Sequence, residues 1–283
     1  MPSVREINRR IKSVQSTAKV TKAMSMIAAS KMRKTQEAAL FSRPYNQMIG
    51  EFVNTIVPRI SNDDSIHPLL EKREIKSNQI ILITPDRGLT GGLNNNVNRF
   101  ANQFMEGNSS ENLVIAVGKK GFEFFEKSQN EISSVFTDVG ASPEISDVLP
   151  ISKIAIDNYV TGKVDAVSVI FSEYVSSTVQ KPAVLPLLPI EQTDLKNVDF
   201  IAEPNINDLI KILLPKFVEV QIFHCLLESI ASEQSARMVA MQKATDAANE
   251  MIDDLTLKMN KARQEMITNE LLDIVGGVEA QTS

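Results

Sequence analysis

The loop at residues 85–99 is the segment whose residue types best suit chemistry, because it is rich in glycine and joins a strand-like run to a helix-like one. Backbone amides in such a turn can bind a phosphate group. The glycines of its sequence, PDRGLTGGLNNNVNR, are Gly88, Gly91 and Gly92. Their spacing matches neither GxGxxG nor GxxxxGK(S/T), and no lysine follows them. The pattern favours a tight turn over a nucleotide site, with Asp86 and Arg87 either anchoring the turn or facing a partner.

Metal and thiol chemistry is poorly supported. The sequence has a single cysteine, Cys225, and two histidines, His67 and His224. One thiol can form neither an internal disulfide nor a cysteine-rich zinc site, and the histidines have no ligand-spaced partners. We therefore expect no cofactor, no metal and no catalytic residue in this chain.

The N-terminal segment, residues 3–57, predicts one long helix. Its apolar positions step by three and four, and Ser3 followed by Glu6 forms a capping box. Pro44 is expected to kink or break the helix. Residues 1–37 carry nine basic and two acidic groups, so that the net −5 of the chain divides into +7 there and −12 elsewhere. A basic segment on an acidic body indicates either an anionic partner or a solvated helix face.

The C-terminal third predicts a coiled-coil helix. Its stripe, in steps of three and four, is Val220, Phe223, Leu227, Ile230, Gln234, Met238, Met241, Thr245, Ala248, Ile252, Leu255, Met259, Ala262 and Met266. One stutter lies between Ile230 and Met238. Pro215 is expected to begin this helix, and Gly276 and Gly277 to end it.

The middle of the chain predicts an α/β unit with a mainly parallel sheet, because strand-like and helix-like segments alternate. The expected strands are 79–85, 113–118, 132–139, 165–175 and a proline-rich edge segment, 182–190. The expected helices are 93–106, 119–128 and 144–161. The two terminal helices would pair antiparallel, with domains at 1–57, 58–204 and 205–283. A rod on a globular base favours a mechanical or scaffolding role.

Four segments together resemble the gamma subunit of F-type ATP synthase. They are KVTKAMSMIAASKMRKTQEA (19–38), ILITPDRGLTGGLN (81–94), SEQSARMVAMQKATDAANEMI (232–252) and LKMNKARQEMITNELLDIVGG (257–277). They occur in the family's order, and the family's ITxExx(D/E) motif is met by Ile267, Thr268, Glu270 and Asp273. Thr90 occupies a position that is often Cys in the family, and with Cys225 alone the chain has no thiol switch of the plant chloroplast type.

The resemblance implies a rotor. In this family the terminal helices form an antiparallel coiled coil inside a ring of alternating alpha and beta subunits, and a Rossmann-like domain binds no nucleotide. That domain lies beside the epsilon subunit and on the membrane c ring. ATP chemistry occurs on alpha and beta, so the chain would transmit torque without catalysis. A peripheral position on the cytoplasmic face of the bacterial inner membrane follows.

The resemblance also implies contact residues. Met24 and Arg237 match positions that the family places near the beta lever. Gln264, Thr268, Glu270 and Asp273 match the upper shaft, where the family makes polar contacts with the ring. The basic bearing segment comprises Lys19, Lys22, Lys31 and Arg33.

Two other functions stay open from the residues alone. A coiled-coil scaffold or chaperone would have the same rod shape but would not alter any ATPase. A nucleotide-dependent α/β enzyme would use the 85–99 loop, and saturable binding of ATP, ADP or NAD by the isolated chain would support it.

Overall fold

The computed structural model describes residues 3–57, 67–107, 110–127, 131–190 and 206–282. The chain divides into two compact units. The first, which we call the helical unit, comprises residues 1–27 and 238–283, and the second, the α/β unit, comprises residues 28–237.

The α/β unit contains a five-stranded sheet in the order β3-β2-β1-β4-β5. The strands are β1 (Ser77–Ile83), β2 (Glu111–Val117), β3 (Glu131–Phe136), β4 (Ala166–Tyr174) and β5 (Gln180–Leu188). The first four are parallel and β5 is antiparallel to β4. Strands β1, β2 and β4 are apolar runs because both faces of the sheet are covered. Pro182 and Pro186 are accommodated because β5 lies at an edge of the sheet, where a missing N–H is tolerated.

Helices cover both faces of this sheet. The helices are α1 (Val4–Ile56), α2 (Leu93–Gly107), α3 (Lys119–Phe125), α4 (Ile145–Val160) and α5 (Ile206–Thr282). One apolar core joins the sheet to α4 and to the parts of α1 and α5 within the α/β unit, and a second joins it to α2 and α3. The predicted α/β class with a mainly parallel sheet is confirmed, and each expected strand and helix of this region is present within a few residues.

The terminal helices differ from expectation at three points. Of the two effects expected of Pro44, a kink or a break, the break does not occur: helix α1 is continuous through Pro44, an exposed position where solvent can satisfy the carbonyl that proline leaves unpaired. The prediction that Pro215 begins the last helix is wrong, because α5 includes it as an internal residue. The prediction that Gly276 and Gly277 end α5 is also wrong, because both are helical and the helix continues to Thr282. Glycine permits a helix end but does not impose one.

The two long helices contact one another within each unit. In the helical unit the Thr21 hydroxyl lies 2.8 Å from that of Thr245, and the Ser25 hydroxyl donates to the carbonyl of Met238 at 3.2 Å. In the α/β unit the amide of Gln221 donates to Asn46 at 2.8 Å. In the helical unit the partner on α5 falls from Thr245 to Met238 as the residue on α1 rises from Thr21 to Ser25, which confirms the antiparallel arrangement there. The predicted domain boundaries remain a prediction, because residues 58–66 and 191–205 lie outside the described residues. Within the described ranges, no helix is long and apolar enough to cross a membrane.

Candidate functional site: the carboxyl edge of the sheet

The glycine-rich loop folds as a turn anchored by Asp86. The Asp86 carboxylate accepts the backbone N–H of Lys119 and the backbone N–H of Asp138, each at 3.0 Å. It thereby holds the first residue of α3 and the segment after β3. Gly91 has φ +59°, and Leu89 has φ +65° although it carries a side chain. Of the two roles foreseen for Asp86, anchoring the turn is the one that the contacts support.

The tightest backbone approach lies in a different loop, between β2 and α3. Gly118 has φ +100°, and a Cβ built there would stand 1.8 Å from the carbonyl oxygen of Thr84. The backbone N–H of Gly121 donates to the hydroxyl of Thr84 at 2.8 Å, and a Cβ at Gly121 would meet that hydroxyl at 2.8 Å. Only glycine therefore fits where α3 begins against the end of β1.

Helix α5 fills the crevice in which an open α/β sheet ordinarily binds its ligand. The order β3-β2-β1-β4 reverses direction between β1 and β4, and ligands of such folds bind at the carboxyl ends of the strands at that point. Here Leu226, Ser229 and Ile230 of α5 lie against the loops after β1 and β2. The remaining cavity is about 30 Å³. Ligand pockets are typically at least ~300 Å³, so this cavity between α5 and the ends of β1 and β2 has no room for a nucleotide.

Serines of α5 satisfy the end of β4. Strand β4 is paired with β1 only as far as Ile170, but it continues to Tyr174. The backbone groups of Ser172 that β1 leaves unpaired bond to α5 instead: its N–H donates to Ser229 at 3.3 Å, and its carbonyl accepts from Ser232 at 2.9 Å. Three residues further along α5, the Ser235 hydroxyl donates to the carbonyl of Ser177 at 2.7 Å, in the turn before β5.

Arg237 joins the same helix to the glycine-rich loop. Its guanidinium lies 2.7 Å from the carboxylate of Glu233 and donates to the carbonyl of Gly88 at 3.2 Å. The two side chains are only 12% and 17% exposed. Burial is the largest influence on Glu233 and raises the pKa of its carboxyl, an effect that Arg237 opposes. The ion pair is thus part of the interior of the α/β unit.

Comparison with known proteins identifies the family. The family model described as ATP synthase matches residues 3–281. The ATP synthase gamma chain of Dehalococcoides mccartyi is 46% identical over 99% of both chains, and that of Chloroflexus aurantiacus is 42% identical over 100% of both. The chain belongs to the ATP synthase gamma chain family.

Solved structures of low identity support the fold of this gamma chain. A chain of the Tetrahymena thermophila mitochondrial ATP synthase central stalk and c-ring has a TM-score of 0.63 at 21% identity, covering 80% of this chain and 99% of that one. A chain of the Euglena gracilis mitochondrial enzyme has a TM-score of 0.68 at 18% identity, covering 98% and 94%. Together with the close relatives, these matches confirm the predicted family and fold class: the chain is an ATP synthase gamma chain with the fold of those solved chains.

The coupling residues expected of a gamma chain lie in different surroundings. Met24 is half-buried on α1, next to Ser25, and Arg237 is held inside the α/β unit. The remaining positions on α5 with described side chains, Gln264, Thr268 and Glu270, are exposed. The Thr268 hydroxyl bonds only to the carbonyl of Gln264 in its own helix. The side chain of Asp273 lies outside the described residues. The roles of all six as contacts to the ring remain predictions.

The basic bearing segment is solvent-facing. Lys19, Lys22, Lys31 and Arg33 are all exposed on α1. No described carboxylate forms a salt bridge with any of these four, so their charge is available to a partner.

Sequence reasoning missed the residues that hold α5 to the sheet. These are Ser229, Ser232 and Ser235, together with Glu233, which pairs with Arg237 on the same helix. Two signals were present: a Glu–Arg pair at i, i+4 and serines at i, i+3, i+6 within an apolar helix. Both signals lie at the stutter between Ile230 and Met238, where α5 packs against the sheet as well as against α1. Gly118 and Gly121, in the sequence GKKG, were also missed.

Proposed function

We propose that this gamma chain performs no catalytic step and acts solely as the moving shaft that transmits torque between the membrane c ring and the catalytic ring of alpha and beta subunits. Its partners are the alpha and beta subunits, the epsilon subunit and the c ring of ATP synthase. It binds no nucleotide, nucleic acid or cofactor of its own, and its place is peripheral, on the cytoplasmic face of a bacterial inner membrane.

The observation that carries the non-catalytic role is the crevice filled by α5. The place where a Rossmann-like sheet would bind a nucleotide is occupied by Leu226, Ser229 and Ile230 of the chain itself. Within the described ranges, no three His, Cys, Asp or Glu side chains come together in an arrangement able to hold a metal ion. The place where such a fold customarily binds a ligand is thus covered by helix α5 of the same chain.

The end of α5 supports insertion into a surrounding sleeve. In an antiparallel pair with Thr21 opposite Thr245, the first turn of α1 lies opposite residue ~262 of α5. Among the described residues, α5 has no partner helix beyond that point. The apolar side chains past it are exposed: Met266, Ile267, Leu271, Leu272, Ile274 and Val275. A patch of this kind is covered in a functional assembly. A ring of alpha and beta subunits supplies that cover.

Torque requires that the ring prefer particular shaft angles. Beta subunits in different conformations must interact differently with the shaft, because an interaction that is equal in all states shifts no equilibrium. The contacts proposed for this are Met24, Arg237 and the polar positions Gln264, Thr268, Glu270 and Asp273. The basic segment on α1 would face acidic levers of beta through weak, solvent-screened charge pairs.

Reconstitution tests this function. Purified alpha and beta chains are combined with and without this gamma chain, and complex size and steady-state ATP hydrolysis are measured. We expect one gamma copy per complex and a higher sustained hydrolysis rate. The isolated chain should show no saturable binding of ATP, ADP or NAD. Exclusion from the complex would favour a scaffold, and micromolar nucleotide binding would favour an α/β enzyme.

A further inference from the structure

Four residues within the segment 229–237 of α5 are bonded to three separate parts of the α/β unit. Ser229 and Ser232 bond to the backbone of Ser172 at the end of β4. Ser235 bonds to the turn before β5. Arg237 bonds to the glycine-rich loop and is also the last residue of the α/β unit. We call this segment the serine clamp.

The bonding residues of the serine clamp are spread around much of the helix circumference. At 3.6 residues per turn, Ser235, Ser232, Ser229 and Arg237 follow one another around roughly 200° of its circumference. Apolar packing is non-directional and permits a helix to turn in its groove, whereas hydrogen bonds weaken steeply when their angle changes. Rotation of α5 about its own axis, in either direction, would break bonds at one side of this arc.

The buried state of these groups makes breaking them costly. Ser232 and Ser235 are fully buried, and Ser172 is 2% exposed. Water cannot readily replace a lost partner there, and an unsatisfied buried polar group is expensive. The small side chains also let the helix backbone approach the sheet closely. The clamp therefore resists twisting more strongly than an apolar interface of the same size.

We propose that the serine clamp is the rotational lock through which torque passes between the α/β unit and helix α5. This inference rests on the proposed rotor function. Without the lock, the α/β unit would turn partly against α5, and some of the work of each ATP would be lost as twist. Torsional stiffness and coupling would then depend on Ser229, Ser232 and Ser235, none of which is expected to contact the catalytic ring.

The test uses the complete membrane complex carrying Ser232→Ala with Ser235→Ala. The first readout is the angular spread of a bead attached to the α/β unit while the complex pauses between steps. The second is proton pumping per ATP hydrolysed in vesicles. We expect a broader angular spread and less pumping per ATP, with hydrolysis retained. Thr256→Ala is the matched control, because its hydroxyl bonds only to Ile252 in its own helix at 2.7 Å.

The possible outcomes separate the lock from the rotor itself. An assembled double variant with wild-type angular spread and pumping would overturn the lock. If the double variant does not assemble, the angular spread is measured in Ser232→Cys instead, because a thiol is nearly the size of a hydroxyl but is a weaker hydrogen-bond donor. A broader spread in that variant supports the lock, and an unchanged spread overturns it. If wild-type gamma neither assembles nor rotates, the proposed function fails, whatever the variants do.

Discussion

At the scale of single residues, the two glycine-containing loops differ in how strictly they require glycine. The conspicuous loop, 85–99, is held by the Asp86 carboxylate and has one glycine, Gly91, at positive φ. The inconspicuous GKKG segment has the stricter requirement, at Gly118. The sequence revealed that a turn was needed but not where backbones would touch, since that contact joins residues 34 positions apart.

Gly118→Ala should destabilise the chain severely. The new Cβ would lie 1.8 Å from the carbonyl of Thr84, and φ +100° is unfavourable for any side chain. We expect a loss of about 3 kcal/mol or more in the free energy of unfolding, measured by denaturant titration. The control is Gly88→Ala, where a Cβ meets nothing within 4 Å and φ is not positive. Equal stability of the two variants would contradict this account of the β2–α3 loop.

Met24→Lys should impair coupling more than assembly. The new charge would join the exposed Lys19 and Lys22 on α1 and strengthen attraction to an acidic lever at one shaft angle. An added pair worth about 1 kcal/mol would slow departure from that angle about fivefold. We expect pumping per ATP to fall while the complex still forms and hydrolyses ATP. Met24→Leu is the uncharged control, and wild-type pumping by Met24→Lys would refute the idea.

At the scale of elements, periodicity predicted most of the structure. The heptad stripe on α5 is buried or half-buried from Val220 to Ala262, and then Met266 is 48% exposed. The pattern continues, but the partner helix does not, so burial stops. Helix ends were predicted least well, because Pro215, Gly276 and Gly277 are tolerated inside α5. Local propensity shows where a helix is able to end, whereas pairing and length decide whether it does.

The Thr21–Thr245 pair should contribute to the stability and register of the helical unit. Replacing Thr21 by Val removes one partner of a part-buried bond and should cost about 1 kcal/mol. The double variant, Thr21→Val with Thr245→Val, should cost less than the sum of the single variants. Chemical unfolding of the four proteins measures this coupling. Thr17→Val is the control, because Thr17 bonds only to Ser13 in its own helix, and strict additivity would show that the pair is unimportant.

Asp165 should make the α/β unit sensitive to acid. Its carboxylate accepts the backbone N–H groups of Lys76 and Ser77, each at 3.0 Å, and these bonds lower its pKa. Since the folded pKa is depressed, the stabilisation is present above the ordinary value of 3.8 and is lost as pH falls through the folded value. Asp165→Asn should therefore be less stable than wild type at neutral pH. The difference should shrink in acid.

Unfolding curves at a series of pH values measure that difference, with the exposed Glu74→Gln as control. A stability difference between Asp165→Asn and wild type that persists unchanged below the folded pKa would contradict the linkage.

At the scale of the whole molecule, family membership and the serine clamp address different questions. The alternation of strand-like and helix-like segments predicted the α/β class, and four specific, ordered motifs predicted the family and the rotor function that it implies. They did not reveal that α5 occupies the ligand crevice of its own sheet through Leu226 and Ile230. That arrangement depends on contacts between residues far apart in sequence. It offers a physical reason why a Rossmann-like unit serves as part of a shaft.

The proposed rotor function requires this chain to turn inside the complex, and direct observation of rotation tests that requirement. A probe is attached at Lys163→Cys, an exposed position in the α/β unit, with alpha and beta fixed to a surface. Labelling should be selective, because Cys225 is 1% exposed and burial raises the pKa of its thiol above the usual range. We predict unidirectional rotation that requires ATP. Sustained ATP hydrolysis by a complex whose probe stays fixed relative to the ring would contradict the account.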